Sequence, residues 1–154
     1  MGKKISQEVE RFLHSQGFVV VCTIDKFGMP HSSLKGIIDI KEDKVYLLDL
    51  YRGQTLGNLK NNPNMSITSV DEHHFKGYCL KGKTLSVIDE KIGMDTLKAW
   101  ENKIASRLTH RILRNLHGEK GHERHPEALL PNPKYMIIMG VEEVVDLTQG
   151  EMKI

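Results

Sequence analysis

Apolar strand-like runs alternate with short polar turns along most of the chain. Six segments combine β-branched residues with a period of two, which is typical of strands. They are 18–24, 31–40, 45–50, 65–70, 78–88 and 135–147. The Asp, Gly and Pro of DKFGMP (25–30) predict a turn after the first of them, and Gly82 and Gly140 predict bends in the last two. The pattern predicts mainly β structure with strands joined in hairpin sequence.

Three segments have the period of a helix instead. Apolar residues of 5–13 recur at helical spacing behind a potential cap at Ser6, and a short helix over 54–62 should end at Pro63. A longer apolar stripe over 97–116 predicts a helix of about six turns. Because helices do not alternate with strands, a doubly wound α/β fold is disfavoured. We expect one domain over 1–154, a six-stranded antiparallel barrel with appended helices.

Composition and charge exclude several classes of function. The chain has 22 Lys and Arg against 20 Asp and Glu, and a net charge of +2 is too near balance for a nucleic-acid-binding face. The charged start (1–16) does not fit a secretory signal, and no apolar run approaches the roughly 18 residues of a membrane span. We therefore expect a cytoplasmic protein without nucleic-acid or membrane partners. Cys22 and Cys79 lie in strand-like runs, where small core residues are favoured over a redox or metal pair.

The segment LYRGQTLGN (50–58) carries the first candidate chemistry. It leads from a strand end through Arg52 into the first turn of the short helix, where unpaired N–H groups and the helix dipole favour an anion. Thr55 adds a hydroxyl donor, and the Arg52 guanidinium can grip two phosphate oxygens. The alternative is that Thr55 only caps the helix while Arg52 is solvated.

The second strand carries an unusual polar strip. Alternation places Ser33 and Lys35 on one face, and the neighbouring Gly36 lets a flat ring approach the backbone. Such a strip suits a planar, hydrogen-bonding cofactor. The alternative is an ordinary solvent-facing side of the sheet.

Together these segments resemble a known family. The order FVVVCTIDKFGMPHSS, KVYLLDLYRGQTLGNLKNNPNMSIT, GYCLKGKTLSV is similar to the flavin-nucleotide-binding proteins of the pyridoxamine 5′-phosphate oxidase-like split-barrel superfamily, over roughly residues 5–90. The resemblance implies a six-stranded split barrel of the FMN-binding type. It also implies a homodimer with FMN at the subunit interface.

The resemblance further implies which residues bind FMN. The flavin ring would be lined from the second strand by Ser33, Leu34 and Lys35 and from the third strand by Leu48, Asp49 and Leu50. The phosphate would be bound by Arg52, Gln54, Thr55 and Asn58.

The chain departs from the oxidase pattern at positions that matter for activity. Pyridoxamine phosphate oxidases carry an Arg-Lys pair where this chain has Gln54 and Thr55, and an Arg near the position of Ser33. These differences argue against that particular activity. They leave open a flavin-dependent oxidoreductase of unknown substrate, a non-catalytic FMN carrier or sensor, and a haem-handling split-barrel protein. No catalytic residue is predicted, because in flavin enzymes the cofactor carries the reaction.

Histidines gather in the C-terminal half at 110, 117, 122 and 125. Their spacing matches no standard zinc signature, so we predict solvated side chains and no metal site, with haem or metal ligation as the alternative. Trp100 lies on the apolar stripe of the long helix, which favours core or dimer packing over stacking on a partner's flavin.

Overall fold

The computed structural model describes residues 4–16, 18–49, 53–88, 98, 102 and 135–150. Within these ranges the elements are α1 (Gln7–Ser15), β1 (Val19–Ile24), β2 (Pro30–Lys41), β3 (Lys44–Asp49), α2 (Gln54–Asn61), β4 (Asn64–Asp71), β5 (Lys76–Ile88) and β6 (Tyr135–Asp146). The six predicted strands and the first two predicted helices are confirmed. The predicted helix over 97–116, with Trp100 and the four histidines, lies outside the described residues except for Lys98 and Asn102, which are helical. None of the described helices is long and apolar enough to cross a membrane.

The six strands form a closed barrel in the order β1-β2-β3-β6-β5-β4, with every neighbouring pair antiparallel. Two long-range pairings close it, β1 with β4 and β3 with β6. Each of the six described strands therefore pairs with two neighbours, as closure of a barrel requires. The predicted mainly β antiparallel barrel is therefore confirmed.

Alternate residues of the strands fill the barrel, as the period of two requires. Buried apolar side chains come from all six strands, among them Val21, Ile37, Val45, Leu47, Ile67, Leu80, Ile137 and Met139. A smaller apolar cluster lies on the opposite face of β2, β3 and β6 and is formed by Ile38, Leu48 and Met136. The main cluster contributes most of the stability, at about 1.5–3 kcal/mol for each large aliphatic side chain buried.

The prediction that the two cysteines are core residues is not confirmed. Cys22 lies between Val21 and Thr23, which face the interior, so its own side chain points outward and is half-buried. Cys79 is likewise half-buried, and neither cysteine forms a disulfide.

Glycine permits the predicted bend in β5. The pairing of β5 with β6 shifts register between Lys81 and Gly82, so the strands form a bulge there. A Cβ atom on Gly82 would collide with the carbonyl oxygen of Gly140. The two glycines predicted to bend the strands therefore meet at one irregularity.

The two helices close opposite ends of the barrel. The α1 end carries the β2–β3 and β4–β5 turns, and the α2 end is where β3 ends and β6 begins. At the α1 end, Val9 and Leu13 are buried, and the Phe12 ring packs edge-on against Tyr78 with centroids 5.1 Å apart. This end is sealed by apolar contacts.

A hairpin turn holds the start of α1. Glu42 and Asp43 both have positive φ (51° and 60°), as a two-residue hairpin turn of this hand requires. The Asp43 carboxylate accepts hydrogen bonds from the backbone N–H groups of Lys4 and Ile5, each at 2.9 Å. Ser6 then caps α1 by accepting from the Val9 N–H at 3.2 Å, as predicted.

Candidate functional site

Among the described residues, no side chain caps the start of α2. Its N-cap is Gly53, in extended conformation and without a side-chain hydrogen bond to the first turn. Both Gly53 and Gln54 are exposed. The first N–H groups of an α-helix have no partner within the helix, so this turn presents donors at the surface. The alternative interpretation that Thr55 caps the helix is wrong, because Thr55 is its second residue.

Thr55 instead joins α2 to the second strand. Its Oγ1 lies 2.9 Å from the Oγ of Ser33, so the two hydroxyls share a hydrogen bond, and Thr55 is only 1% exposed. Ser33 and Lys35 lie on the same face of β2, as alternation predicts. We call these two residues the β2 ledge.

One turn further along α2, an amide reaches into the barrel. The Nδ2 of Asn58 donates to the Oγ1 of Thr23 at 3.0 Å, and both side chains are buried. Thr23 follows Val19 and Val21 on the inward face of β1. Since a buried amide or hydroxyl without a partner is costly, this pair fixes α2 against the barrel.

Lys35 of the ledge forms a buried ion pair with Asp49. The Nζ of Lys35 contacts Oδ2 of Asp49, and the Tyr135 hydroxyl donates to the same oxygen. The three residues are contributed by β2, β3 and β6, and Asp49 and Tyr135 are register partners. Lys35 is 9% exposed and Asp49 6%. The pairing and the added hydrogen bond offset the cost of removing both charges from water.

The structure brings together five of the predicted site residues. They lie at or beside the α2 end: Ser33, Lys35, Asp49, Thr55 and Asn58. Leu34 points to the other face of β2 and is 68% exposed, while Leu48 belongs to the apolar cluster outside the barrel. Gln54 is exposed beside the uncapped helix start. Leu50 and Arg52 lie outside the described residues, and the assignment of all these residues to a cofactor stays a prediction.

Sequence reasoning missed two residues of this polar group. Thr23 is a hydroxyl at an inward position of an otherwise apolar strand, and that alternation was the available signal. Tyr135 is 86 residues from Asp49, and no local pattern indicates that the two meet. Only the pairing of β3 with β6 brings them together.

The described residues show no other concentration of chemistry. No group of three or more His, Cys, Asp or Glu side chains within the described ranges is placed to hold a metal. At the turn after β4, the hydrogen bond from His74 lowers the pKa of the Asp71 carboxyl. That turn lies at the α1 end, so the polar group near α2 is the candidate site.

The family comparison agrees with the architecture and the segments quoted above. The sequence matches the family model described as pyridoxamine 5′-phosphate oxidase over residues 5–130, so the chain belongs to this family of FMN-binding split-barrel proteins. It is a flavin-binding, oxidoreductase-like family. No curated protein matches the sequence.

Solved structures show the same fold at low sequence identity. HupZ from Group A Streptococcus is 22% identical with a TM-score of 0.63, covering 95% of this chain and 96% of that one. An FMN-binding protein from Syntrophomonas wolfei is 9% identical with a TM-score of 0.60, covering 90% and 82%. A protein named F420 reductase is 13% identical with a TM-score of 0.58, covering 88% and 94%. At these identities the likeness concerns the fold alone.

Proposed function

We propose that this protein binds FMN at the α2 end of the barrel and acts, with FMN as its cofactor, as an oxidoreductase. The observation that carries the proposal is the uncapped start of α2 next to the β2 ledge, in a chain that belongs to the pyridoxamine 5′-phosphate oxidase family. The FMN-binding and F420 reductase neighbours of the same fold agree with a flavin-like ligand.

The helix start fits the phosphate of FMN. Backbone N–H donors and the positive end of the helix dipole favour an anion. Apart from its chain neighbours, no described residue lies within 4 Å of where a Cβ on Gly53 would be. Gln54 supplies an exposed amide at the same turn. In the proposal Arg52 adds a charged fork, while the buried Thr55 and Asn58 hold the turn in place through Ser33 and Thr23.

The ledge fits the ring of the cofactor. Ser33 offers a hydroxyl and Lys35 an ammonium group, both suited to the carbonyl and nitrogen edge of a flavin. In the proposal Asp49 and Leu50 continue the ring pocket from β3, while Leu34 and Leu48, whose side chains lie on the other face, contribute through their backbone.

We also propose a homodimer with the flavin at the interface. Leu34 and its register partner Val20 form an exposed apolar patch on the outer face of β1 and β2, 68% and 37% exposed. An exposed apolar patch favours association with another surface. Sedimentation of the protein with and without FMN tests this, and a monomer in both conditions would contradict it.

The cofactor is tested by titration of the purified protein. We expect the fluorescence of FMN to be quenched on binding, with a stoichiometry of one flavin per subunit. FMN should bind more tightly than FAD, riboflavin or the deazaflavin F420. Riboflavin is the matched control, because it differs from FMN only by the phosphate. Equal affinity for riboflavin and FMN would show that the helix start does not bind the phosphate. Tighter binding of F420 than of FMN would show that the cofactor is a deazaflavin and not FMN.

The phosphate site is tested by a pair of substitutions. Arg52→Ala with Thr55→Ala removes a charged donor and the hydroxyl that anchors the turn, each worth about 1–3 kcal/mol. We expect FMN affinity to fall about tenfold or more. The controls are Thr55→Ser, which keeps the hydroxyl, and Arg11→Ala, which removes an exposed arginine at the α1 end. Unchanged FMN affinity in the double variant would place the phosphate elsewhere.

Turnover is tested separately from binding. Anaerobic mixing of the FMN-loaded protein with reduced nicotinamide nucleotide should bleach the flavin absorbance, with transfer of a hydride from nicotinamide to flavin. A second candidate is a carrier or sensor of FMN without turnover. It is favoured by two contacts within the protein, the hydrogen bond between Ser33 and Thr55 and the ion pair between Lys35 and Asp49, which occupy these side chains structurally. Absence of bleaching with NADH and with NADPH would favour this second candidate.

A further inference from the structure

The ion pair between Lys35 and Asp49 is joined by a third residue, Tyr135, which is not among the proposed cofactor contacts. The Tyr135 hydroxyl donates to the same Asp49 oxygen that contacts the Lys35 ammonium group. Tyr135 is fully buried, and it comes from β6, which does not pair with β2. Asp49 therefore receives a donor from each of its two neighbouring strands.

We infer that Asp49 and Tyr135 are positioning residues for Lys35, and that together they set how much positive charge the ledge presents to the flavin. This inference rests on the proposed function, since it requires a flavin at the ledge. Asp49 neutralises the Lys35 charge, and the Tyr135 hydroxyl competes for the same carboxylate oxygen. The Lys35 ammonium group of the ledge is then one half of a nearly neutral ion pair with Asp49. It presents less positive charge to the flavin than an ammonium group without a nearby carboxylate would.

The physical argument concerns the two oxidation states of the flavin. Flavin reduced by two electrons, with one proton taken up at N5, carries a negative charge near N1, whereas the oxidised ring is neutral. A cation close to the ring therefore binds the reduced form more tightly than the oxidised form, and a carboxylate does the reverse. Burial of Lys35 and Asp49 strengthens both effects, because water screens them little.

Each substitution thus changes, in a definite direction, the ratio of the affinity for reduced flavin to the affinity for oxidised flavin. Asp49→Asn leaves Lys35 unopposed, so the reduced form should gain at least tenfold over the oxidised form, which raises the two-electron potential by about 30 mV or more. Lys35→Met removes the ammonium group and keeps the carboxylate, which should lower the ratio. Tyr135→Phe removes one donor from the Asp49 carboxylate, which then binds Lys35 more strongly, so the ratio should fall by less than in Lys35→Met.

The double variant Lys35→Met with Asp49→Asn is the matched control. Its net charge at the ledge equals that of the wild type, so its affinity ratio should return towards the wild-type value. Reduction potentials measured by equilibration with a reference dye, together with oxidised-flavin dissociation constants, give the ratio for every variant. Far-ultraviolet circular dichroism and the melting temperature establish that each variant is folded. A purely structural role would change the melting temperature and leave the ratio unchanged.

The outcomes separate the inference from the proposed function. A wild-type protein that binds no flavin overturns both. A flavin-binding wild type whose ratio is the same in folded Asp49→Asn and Tyr135→Phe overturns the inference and leaves the proposed function standing. If Asp49→Asn does not fold, Tyr135→Phe and the double variant decide: a lowered ratio in the first and a near wild-type ratio in the second support the inference, and any other result overturns it.

Discussion

The two ends of the barrel are closed by helices of similar length that both bury aliphatic side chains, but the α2 end adds buried polar contacts. At the α1 end, Val9 and Leu13 bury aliphatic side chains against the barrel. At the α2 end, Leu56 and Leu59 are buried in the same core, and in addition Thr55 and Asn58 make hydrogen bonds to β2 and β1. An apolar seal is the cheaper way to close a barrel, because each buried polar group needs a partner. The polar end thus indicates a site, whereas the apolar end indicates support for the fold.

The largest effect expected from this comparison is at the α1 end. Leu13→Ala removes a side chain that is 1% exposed, which should lower the free energy of unfolding by about 2–5 kcal/mol. Flavin affinity of the folded protein should not change. Leu147→Ala is the control, because that leucine is 43% exposed and its loss should cost less than about 0.5 kcal/mol. Denaturant unfolding gives both values, and a loss of flavin affinity in Leu13→Ala would contradict the division between the ends.

The second effect concerns the buried hydrogen bond at the α2 end. Thr23→Val keeps the shape of the side chain but leaves the Asn58 amide without its partner, at a cost of about 1–3 kcal/mol. The double variant Thr23→Val with Asn58→Leu removes both polar groups and should recover part of that stability. Denaturant unfolding of the two single variants and the double variant measures the coupling. Additive effects would show that the hydrogen bond does not hold α2.

A smaller effect is expected at the hairpin that holds α1. Asp43→Asn keeps a residue that tolerates positive φ but removes the negative charge, so the bonds from Lys4 and Ile5 weaken. We expect a loss of about 1 kcal/mol and faster amide hydrogen exchange confined to the first turn of α1. Asp39→Asn, an exposed position on β2, serves as the control. Unchanged exchange in α1 would show that the hairpin does not anchor it.

The smallest effect is a pH dependence at the α1 end. The hydrogen bond from His74 lowers the pKa of Asp71 below the ordinary aspartate value of 3.8. Because the folded-state pKa is the lower one, the associated stability is present above the unfolded-state pKa and is lost as the pH falls through the folded-state pKa. Carboxyl NMR titration should give a pKa for Asp71 that rises towards 3.8 in His74→Ala. The Lys35–Asp49 pair lies towards the α2 end, so flavin affinity should be the same in that variant.

Local pattern was sufficient for the six strands and two short helices of the described residues and for one half of the site. The period of two placed Ser33 and Lys35 on one face, since successive residues of a strand must point to opposite sides. The turn at Asp25 and the bend at Gly82 were readable for the same reason, because both depend on conformations that a few residues set by themselves.

The chain alone therefore determined the strands, the short helices, the turns and the polar strip of β2. Tertiary structure decided which side chains meet: Ser33 with Thr55 across 22 residues, Asp43 with Ile5 across 38, and Asp49 with Tyr135 across 86. These contacts depend on strand order and barrel closure, which bring together residues distant in sequence. Periodicity indicates only the direction of a side chain relative to its sequence neighbours, so it does not identify the residue that the side chain contacts across the barrel.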